Sequence, residues 1–212
     1  MPNIDFLQVL VLFSVLLVSL TFHEAAHAWS ADRLGDPTAR LLGRVSLNPA
    51  VHVDPIGTIL FPLIAIMTGV PILGWAKPVP VNVHQLGYTW KQKFMAIAAA
   101  GPASNLVIAV ACSIVLRLLT ALVSVDSGAT QFVGAVLVQA IRLNVLLAVF
   151  NMLPIPPLDG GNVLSGLLRG QASRLFDSLR GYGFIILYAL MLSGMLWSLV
   201  TPPENMILSW LL

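Results

Sequence analysis

His23, Glu24 and His27 form a His-Glu-x-x-His pattern within an apolar stretch near the N-terminus. Residues four apart share one face of a helix, so both imidazoles can reach a single metal ion. Glu24 follows His23 directly and could accept a proton from an attacking water molecule. A polar patch at a helix end is the structural alternative, but ionisable groups are costly at the end of a membrane helix and indicate function. The pattern therefore predicts a zinc site.

A catalytic zinc ion usually has three protein ligands and one open position. With nine acidic residues and four histidines in the chain, candidates for the third ligand are few. Asp159 is the best of them, because it follows an apolar helix in a Pro-rich stretch that cannot continue as a regular helix. A turn or helix-cap aspartate before Gly160 is the structural alternative for this residue.

The composition requires these residues to work in a membrane. Hydrophobic residues make up 58% of the 212 positions and charged residues only 9%, whereas a soluble domain has about 25% charged residues. The net charge of +2 is too small to indicate nucleic-acid binding. We expect one membrane-embedded domain over residues 1–212.

Four apolar stretches have the length of about 20 residues that a spanning helix needs, at about 5–32, 94–123, 131–153 and 182–200. Proline and glycine interrupt another stretch, about 55–76, which we predict to be re-entrant. Residues 38–48 and 77–83 alternate partly and contain several valines, which favours strands. The predicted fold is an all-α polytopic membrane protein with four spanning helices, a re-entrant segment and a small cytoplasmic-side β-sheet.

The positions of the basic residues support this topology. If residues 55–76 return to the side from which they entered, every Lys and Arg outside the spanning helices lies on one side, which the positive-inside rule makes cytoplasmic. His23 lies about 27 Å along a helix from Asp5, near the cytoplasmic end of that helix. The same topology brings Asp159 to the cytoplasmic side. The distribution of basic residues therefore favours the same topology as the requirement that all three metal ligands lie at one depth in the membrane. We therefore expect a multi-pass protein of the cytoplasmic membrane.

Several segments together resemble the site-2 protease family of intramembrane zinc metalloproteases, in its compact bacterial-type branch without PDZ or CBS domains. They are residues 22–28 (FHEAAHA), 48–57 (NPAVHVDPIG), 74–82 (GWAKPVPVN), 100–105 (AGPASN) and 151–160 (NMLPIPPLDG). The resemblance implies one zinc ion held by His23, His27 and Asp159, with Glu24 as the catalytic carboxylate. It also implies that Asn151 binds the substrate or its oxyanion.

The resemblance further implies an activity, namely hydrolysis of peptide bonds in or near transmembrane segments, as in regulated intramembrane proteolysis. The expected partners are single-pass membrane proteins as substrates, the lipid bilayer, and regulatory membrane proteins.

The sequence singles out further polar residues. Asn105 lies in a helix with small residues and is expected to hydrogen-bond across a helix interface. His52 could add to a metal site or gate it, or could cap the segment that follows. Asn144 and Asn151 are seven residues apart and share the inward face of one helix. Arg142, in the same helix, needs a partner or a wet cavity.

Three alternative functions fit the same residues less well. A metal transporter could use the His, Glu and Asp cluster, but we find no second copy of the His-containing helix, as an inverted repeat would require. A binding protein that has lost catalysis would be expected to lack the glutamate or a metal ligand. A membrane metalloprotease of another family would supply a glutamate rather than the Leu-Asp-Gly aspartate as third ligand.

Overall fold

The computed structural model describes residues 6–68, 74–122 and 127–212, and these fold into helices joined by short irregular segments. Four helical stretches in these ranges are long and apolar enough to cross a membrane, by length and composition: Phe6–Arg33, Val83–Leu122, Gly128–Asn151 and Gly170–Leu192. The prediction of an all-α protein with four candidate spans is confirmed.

The first helix, α1 (Phe6–Arg33), carries both histidines in its last third. It is followed by a short helix α2 (Thr38–Leu41), a 3-10 turn (Pro49–Val51), a π-helical turn (Pro55–Leu60) and helix α3 (Phe61–Thr68). A 3-10 segment (Val83–Thr89) leads into α4 (Trp90–Leu122). Helix α4 contacts α1, α5 and α6, and it is therefore the element against which the others are positioned.

The C-terminal half contains α5 (Gly128–Asn151), α6 (Asp159–Leu167) and α7 (Gly170–Leu179). A 3-10 turn (Arg180–Tyr182) joins α7 to α8 (Gly183–Leu192), and α9 (Met195–Leu211) follows. The boundaries of α5 follow from local chemistry, because the Ser127 side chain caps its first turn and Pro154 prevents its continuation. Buried residues from α4, α5, α8 and α9 form the main apolar core: Ala109, Ile141, Val145, Val149, Leu187, Met191, Leu196 and Val200.

The predicted fourth span over residues 182–200 does not coincide with one continuous helix. The candidate span begins at Gly170 and ends at Leu192, and α9 is a separate helix. Gly194 causes the break, since its φ of 76° is left-handed and ends α8. Hydropathy alone did not reveal this break, because apolar residues lie on both sides of it.

The predicted β-sheet is also wrong, since no strand occurs among the described residues. Residues 38–41 are helical, and the rest of 38–48 and residues 77–82 are turns or irregular segments. Pro78 and Pro80 lack the N–H groups that a strand needs for its ladder. The Asp36 carboxylate instead accepts hydrogen bonds from the backbone N–H groups of Thr38 (3.0 Å) and Asn82 (2.6 Å), which joins the two segments without strand pairing.

The predicted re-entrant passage over residues 55–76 is not supported by the helices found there. The π-helical turn (6 residues) and α3 (8 residues) follow each other directly and together are shorter than a span, and residues 69–73 of this stretch lie outside the described ranges. The two ends of the stretch are nevertheless joined. The Lys77 N–H donates to the His52 carbonyl (2.9 Å) and the Trp75 N–H donates to the Gly57 carbonyl (3.1 Å).

Candidate metal centre

His23 and His27 face each other one turn apart on α1. Their Nε2 atoms are 3.1 Å apart and both side chains are buried. The Nδ1 atom of His27 lies 2.7 Å from the Ile97 carbonyl oxygen, which can only accept, so this nitrogen carries a proton. The Nδ1 atom of His23 lies 2.7 Å from the Asn105 side-chain oxygen in the same way. In the neutral imidazoles both Nε2 atoms are thus left with free lone pairs that point toward one location.

Asp159 completes the group from the other half of the chain. As the first residue of α6, it brings one carboxylate oxygen to 3.1 Å from the Nε2 of His23 and 3.3 Å from that of His27. The turn before α6 is tight, because the Leu158 N–H donates to the Ile155 carbonyl (2.9 Å). Next in the chain, Gly160 lies against the backbone of the same loop, where a Cβ atom would come within 2.2 Å of the Met152 carbonyl oxygen.

The Asp159 side chain lies outside the spanning helices and is only 16% exposed. Burial raises the pKa of its carboxyl group, but in the metal-free centre the hydrogen bonds and charges of protonated His23 and His27 outweigh burial and lower the pKa to about 2. The group therefore presents one carboxylate and two imidazoles.

These three ligand atoms fit a zinc ion. Two zinc bonds of about 2.0–2.1 Å at a tetrahedral angle set their ligand atoms about 3.3–3.4 Å apart, and the three observed separations are 3.1, 3.1 and 3.3 Å. Within the described ranges, this trio is the group of His, Cys, Asp and Glu side chains with the geometry to hold a metal. The donor set leaves one tetrahedral position open.

Gly101 on α4 borders the same centre. A Cβ atom at this position would lie 2.4 Å from the Nε2 of His27 and 2.6 Å from that of His23, closer than real Cβ contacts occur. Glycine is therefore required here, so that α4 can approach the two ligand nitrogens. This role is steric, whereas the sequence indicated only close helix packing.

The centre opens into a cavity of about 550 Å³ between α1, α4, α5, α6 and α8. Glu24, which is buried, and Asn151, at the end of α5, both line the cavity. The Asn151 amide nitrogen donates to the Leu147 carbonyl of its own helix (2.9 Å). Trp75 and Val79 of the irregular segment form another part of the wall. The cavity thus combines the three ligand atoms with the two further residues that the sequence singled out.

The other singled-out residues lie at different distances from the centre. Asn105 contacts His23 directly, as described above. His52 is buried but lies apart from the ligand trio, and its Nε2 bonds to the Ser46 carbonyl (2.8 Å). Its backbone carbonyl holds Lys77, which favours the structural role over a metal-binding one. Glu204 of α9 lies within electrostatic range of Arg142.

The sequence did not reveal how two further residues, Arg44 and Asn144, contribute to the surroundings of the metal centre. Arg44 is 5% exposed, donates a hydrogen bond to the Lys77 carbonyl and lies within electrostatic range of Glu24. Burial lowers the pKa of its guanidinium, and the charge of Glu24 partly offsets this shift. Asn144, which was placed only on an inward helix face, is fully buried and bonds to Asn105. The sequence signal for Asn144 was a polar amide within an apolar stretch that was predicted to span the membrane.

Comparison with known proteins agrees with this site. The model of peptidase family M50 matches residues 11–194, which include both histidines and Asp159. The chain belongs to peptidase family M50. This is the site-2 protease family that the sequence motifs resemble, so that prediction is confirmed.

Curated relatives lead to the same family. The chain is 36% identical over 205 residues to "Putative zinc metalloprotease YwhC" of Bacillus subtilis (strain 168), covering 91% of this chain and 87% of YwhC. It is 32% identical over 190 residues to a protein of Mycolicibacterium smegmatis named in the same way, Rip2, covering 89% of this chain and 66% of Rip2. No solved structure shows a significant match.

Membership of family M50, the names of these relatives and the four apolar helices together support a membrane metalloprotease with zinc as cofactor. The predicted zinc cofactor is therefore confirmed, and the trio of His23, His27 and Asp159 provides a group that fits it.

Proposed function

We propose that this member of family M50 is an intramembrane zinc endopeptidase, which hydrolyses peptide bonds in or near the transmembrane segments of single-pass membrane proteins. The observation that carries the proposal is the convergence of three zinc-ligand atoms with Glu24 in one cavity between apolar helices. A cavity between spanning helices would admit a substrate from the bilayer.

His23, His27 and Asp159 would hold one zinc ion. When bound there, zinc supplies a Lewis acid that polarises the scissile carbonyl and lowers the pKa of water. The hydrogen bonds from the two Nδ1 atoms keep both imidazoles oriented for this role. The Asp159 carboxylate would reduce the charge of the centre.

Glu24 acts as general base and then as general acid. Its carboxylate accepts a proton from the attacking water, while the water oxygen bonds to the carbonyl carbon of the substrate. Glu24 then returns the proton to the leaving nitrogen as the C–N bond breaks, which gives a carboxylic acid and an amine. Asn151 would contact the substrate carbonyl, because it lines the same cavity as Glu24.

We also propose that the chain lies in the cytoplasmic membrane with the active site near the cytoplasmic face. The support is the clustering of Lys and Arg in the segments adjoining the site, such as Arg33, Arg44 and Lys77. The peptide bonds of a transmembrane helix are closed by internal hydrogen bonds, so a substrate must unwind locally before it can be cut.

Replacing Glu24 by Gln tests the proposal, because this change removes the base and leaves the ligand atoms in place. The wild-type protein and Glu24→Gln would be purified from the native membrane, and the membrane peptides bound to each would be identified by mass spectrometry. We expect equal zinc content in both proteins. Peptides retained by Glu24→Gln should be cut after addition of the wild-type protein.

Cleavage by Glu24→Gln at the wild-type rate would contradict the role of Glu24. Uptake of zinc into vesicles by the wild-type protein, with no peptide cut, would favour the transporter alternative.

A further inference from the structure

A chain of buried polar side chains leads away from the metal centre into the apolar interior. Ser19 of α1, Asn105 of α4 and Asn144 of α5 are each 0–1% exposed. Their hydrogen bonds join three helices and end at the Nδ1 atom of His23. Buried polar groups cost free energy unless their donors and acceptors are paired. This requirement identifies the donor and the acceptor in each hydrogen bond of the chain.

The hydrogen bonds of Asn144 fix the orientation of its side-chain amide. Its amide nitrogen donates to the Ala140 carbonyl (2.9 Å) and to the Ser19 hydroxyl oxygen (2.9 Å). Ser19 donates its own hydroxyl proton to the Val15 carbonyl (2.8 Å), so this hydroxyl can only accept from Asn144. A flipped amide would place the Asn144 oxygen against the Ala140 carbonyl oxygen, which is repulsive. The Asn144 oxygen is therefore held toward Asn105.

The same reasoning continues at Asn105. Its amide nitrogen donates to the Asn144 oxygen (2.9 Å) and to the Ser19 carbonyl (3.3 Å). Its side-chain oxygen is thereby turned toward the Nδ1 atom of His23, at 2.7 Å. An oxygen acceptor at this distance requires the proton of the neutral imidazole on Nδ1. The Nε2 lone pair of His23 is then free for a metal.

We propose that Asn144 is a positioning residue of the metal centre, which acts through Asn105 to fix the tautomer of His23. The inference rests on the proposed zinc ligation by His23. Asn144 itself touches neither the ligand atoms nor the cavity wall. Without it, the Asn105 amide keeps only its longer bond, to the Ser19 carbonyl (3.3 Å), so its nitrogen can turn toward His23 at a lower cost. That orientation favours a proton on Nε2, which blocks ligation.

Two replacements separate this role from simple packing. Asn144→Leu removes the closer of the two acceptors for the Asn105 nitrogen. Asn105→Asp gives His23 a carboxylate, which accepts from Nδ1 in either orientation, while its second oxygen faces the Asn144 oxygen. We therefore expect Asn144→Leu to weaken zinc binding about tenfold in the wild-type background. In the Asn105→Asp background, Asn144→Leu removes only the oxygen that the carboxylate would face, so it should not weaken zinc binding.

Zinc affinity is measured by competition with a fluorescent chelator in detergent micelles. Gln139→Leu, an exposed amide on the same helix, is the matched control and should leave the affinity unchanged. An equal loss in both backgrounds would show that Asn144 contributes packing only. No loss in either background would also overturn the inference.

A second measurement leaves the hydrogen-bond network of the wild-type protein unaltered. Imidazole ¹⁵N chemical shifts of the zinc-free wild-type protein, assigned with His23→Ala, report the tautomer directly. We expect the proton of neutral His23 on Nδ1, and a proton on Nε2 would refute the mechanism. If His23→Ala binds zinc as tightly as wild type, the proposed ligand set fails instead, and the tautomer result still stands on its own.

Discussion

Gly101→Ala adds one methyl group next to the two ligand nitrogens. The new Cβ atom would lie 2.4 Å from the Nε2 of His27 and 2.6 Å from that of His23, whereas ordinary contact begins at 3.4 Å. The two nitrogens must therefore retreat by about 1.0 and 0.8 Å, or α4 must move away from α1 by a similar distance. Both histidines are buried and hydrogen-bonded through Nδ1, so neither can move without losing that bond.

Zinc sites tolerate ligand displacements of about 0.2 Å, so the displacement exceeds the tolerance several-fold. Loss of one well-placed ligand should weaken zinc binding by about 100-fold, equivalent to about 2.8 kcal/mol at 1.4 kcal/mol per tenfold. Proteolysis should decrease at least in proportion when zinc is limiting. Excess zinc should restore occupancy by mass action but activity only partly, because the ligands remain displaced.

Zinc affinity by chelator competition is the assay, with Gly134→Ala as the matched control. Gly134 is also a glycine within a candidate spanning helix, but a Cβ atom there would meet only a Leu116 methyl group at 3.9 Å. The control should bind zinc like wild type. If Gly101→Ala also bound zinc like wild type, the described contact between α4 and the imidazoles would be incorrect.

Three further predictions follow from single contacts. Gly160→Ala would place a Cβ atom 2.2 Å from the Met152 carbonyl oxygen, so it should displace the adjoining aspartate and reduce zinc occupancy, as measured by metal analysis. Arg44→Gln removes the charge near the general base and weakens the bond to the Lys77 carbonyl, so it should lower the cleavage rate on the order of tenfold while zinc content stays equal. Gly194→Ala introduces a side chain at a φ of 76°, which should cost about 1 kcal/mol and lower the thermal midpoint without changing zinc affinity.

Matched variants accompany these changes. For Gly160, the control is Gly128→Ala, where a Cβ atom meets nothing within 4 Å. For Arg44, it is Arg40→Gln, because Arg40 is 58% exposed and pairs with Asp32 on the surface. Equal effects of a variant and its control would contradict the corresponding argument. Loss of zinc binding in Gly194→Ala would mean that the break between α8 and α9 influences the centre.

The zinc-binding trio was the part of the site most accessible to sequence reasoning. His23 and His27 carry a local signal in their spacing on one helix, and Asp159 was the acidic residue that the topology brought to the same depth. The candidate spans could also be predicted from the sequence, since length and hydropathy are properties of a continuous segment. The structure places the three side chains together, as these arguments required.

The features that sequence reasoning missed depend on contacts between distant segments. The partner of Asn144 lies on another helix, and the reason for Gly101 is a pair of imidazoles on α1. The predicted strand at residues 77–83 does not form. Val79 and Val81 line the cavity instead of a sheet, and the prolines lack the backbone N–H groups that strand pairing requires. The limit of the last predicted span failed at Gly194, where backbone conformation rather than polarity ends the helix.

Zinc K-edge X-ray absorption of the purified, zinc-loaded protein tests the central proposal most directly, because it reports the ligand atoms themselves. His23, His27 and Asp159 predict two imidazole nitrogens and oxygen ligands at about 2.0–2.2 Å, with four-coordinate geometry. His23→Ala should reduce the imidazole scattering to that of one ring. A sulfur shell at about 2.3 Å, or imidazole scattering that is unchanged in His23→Ala, would contradict the proposed centre.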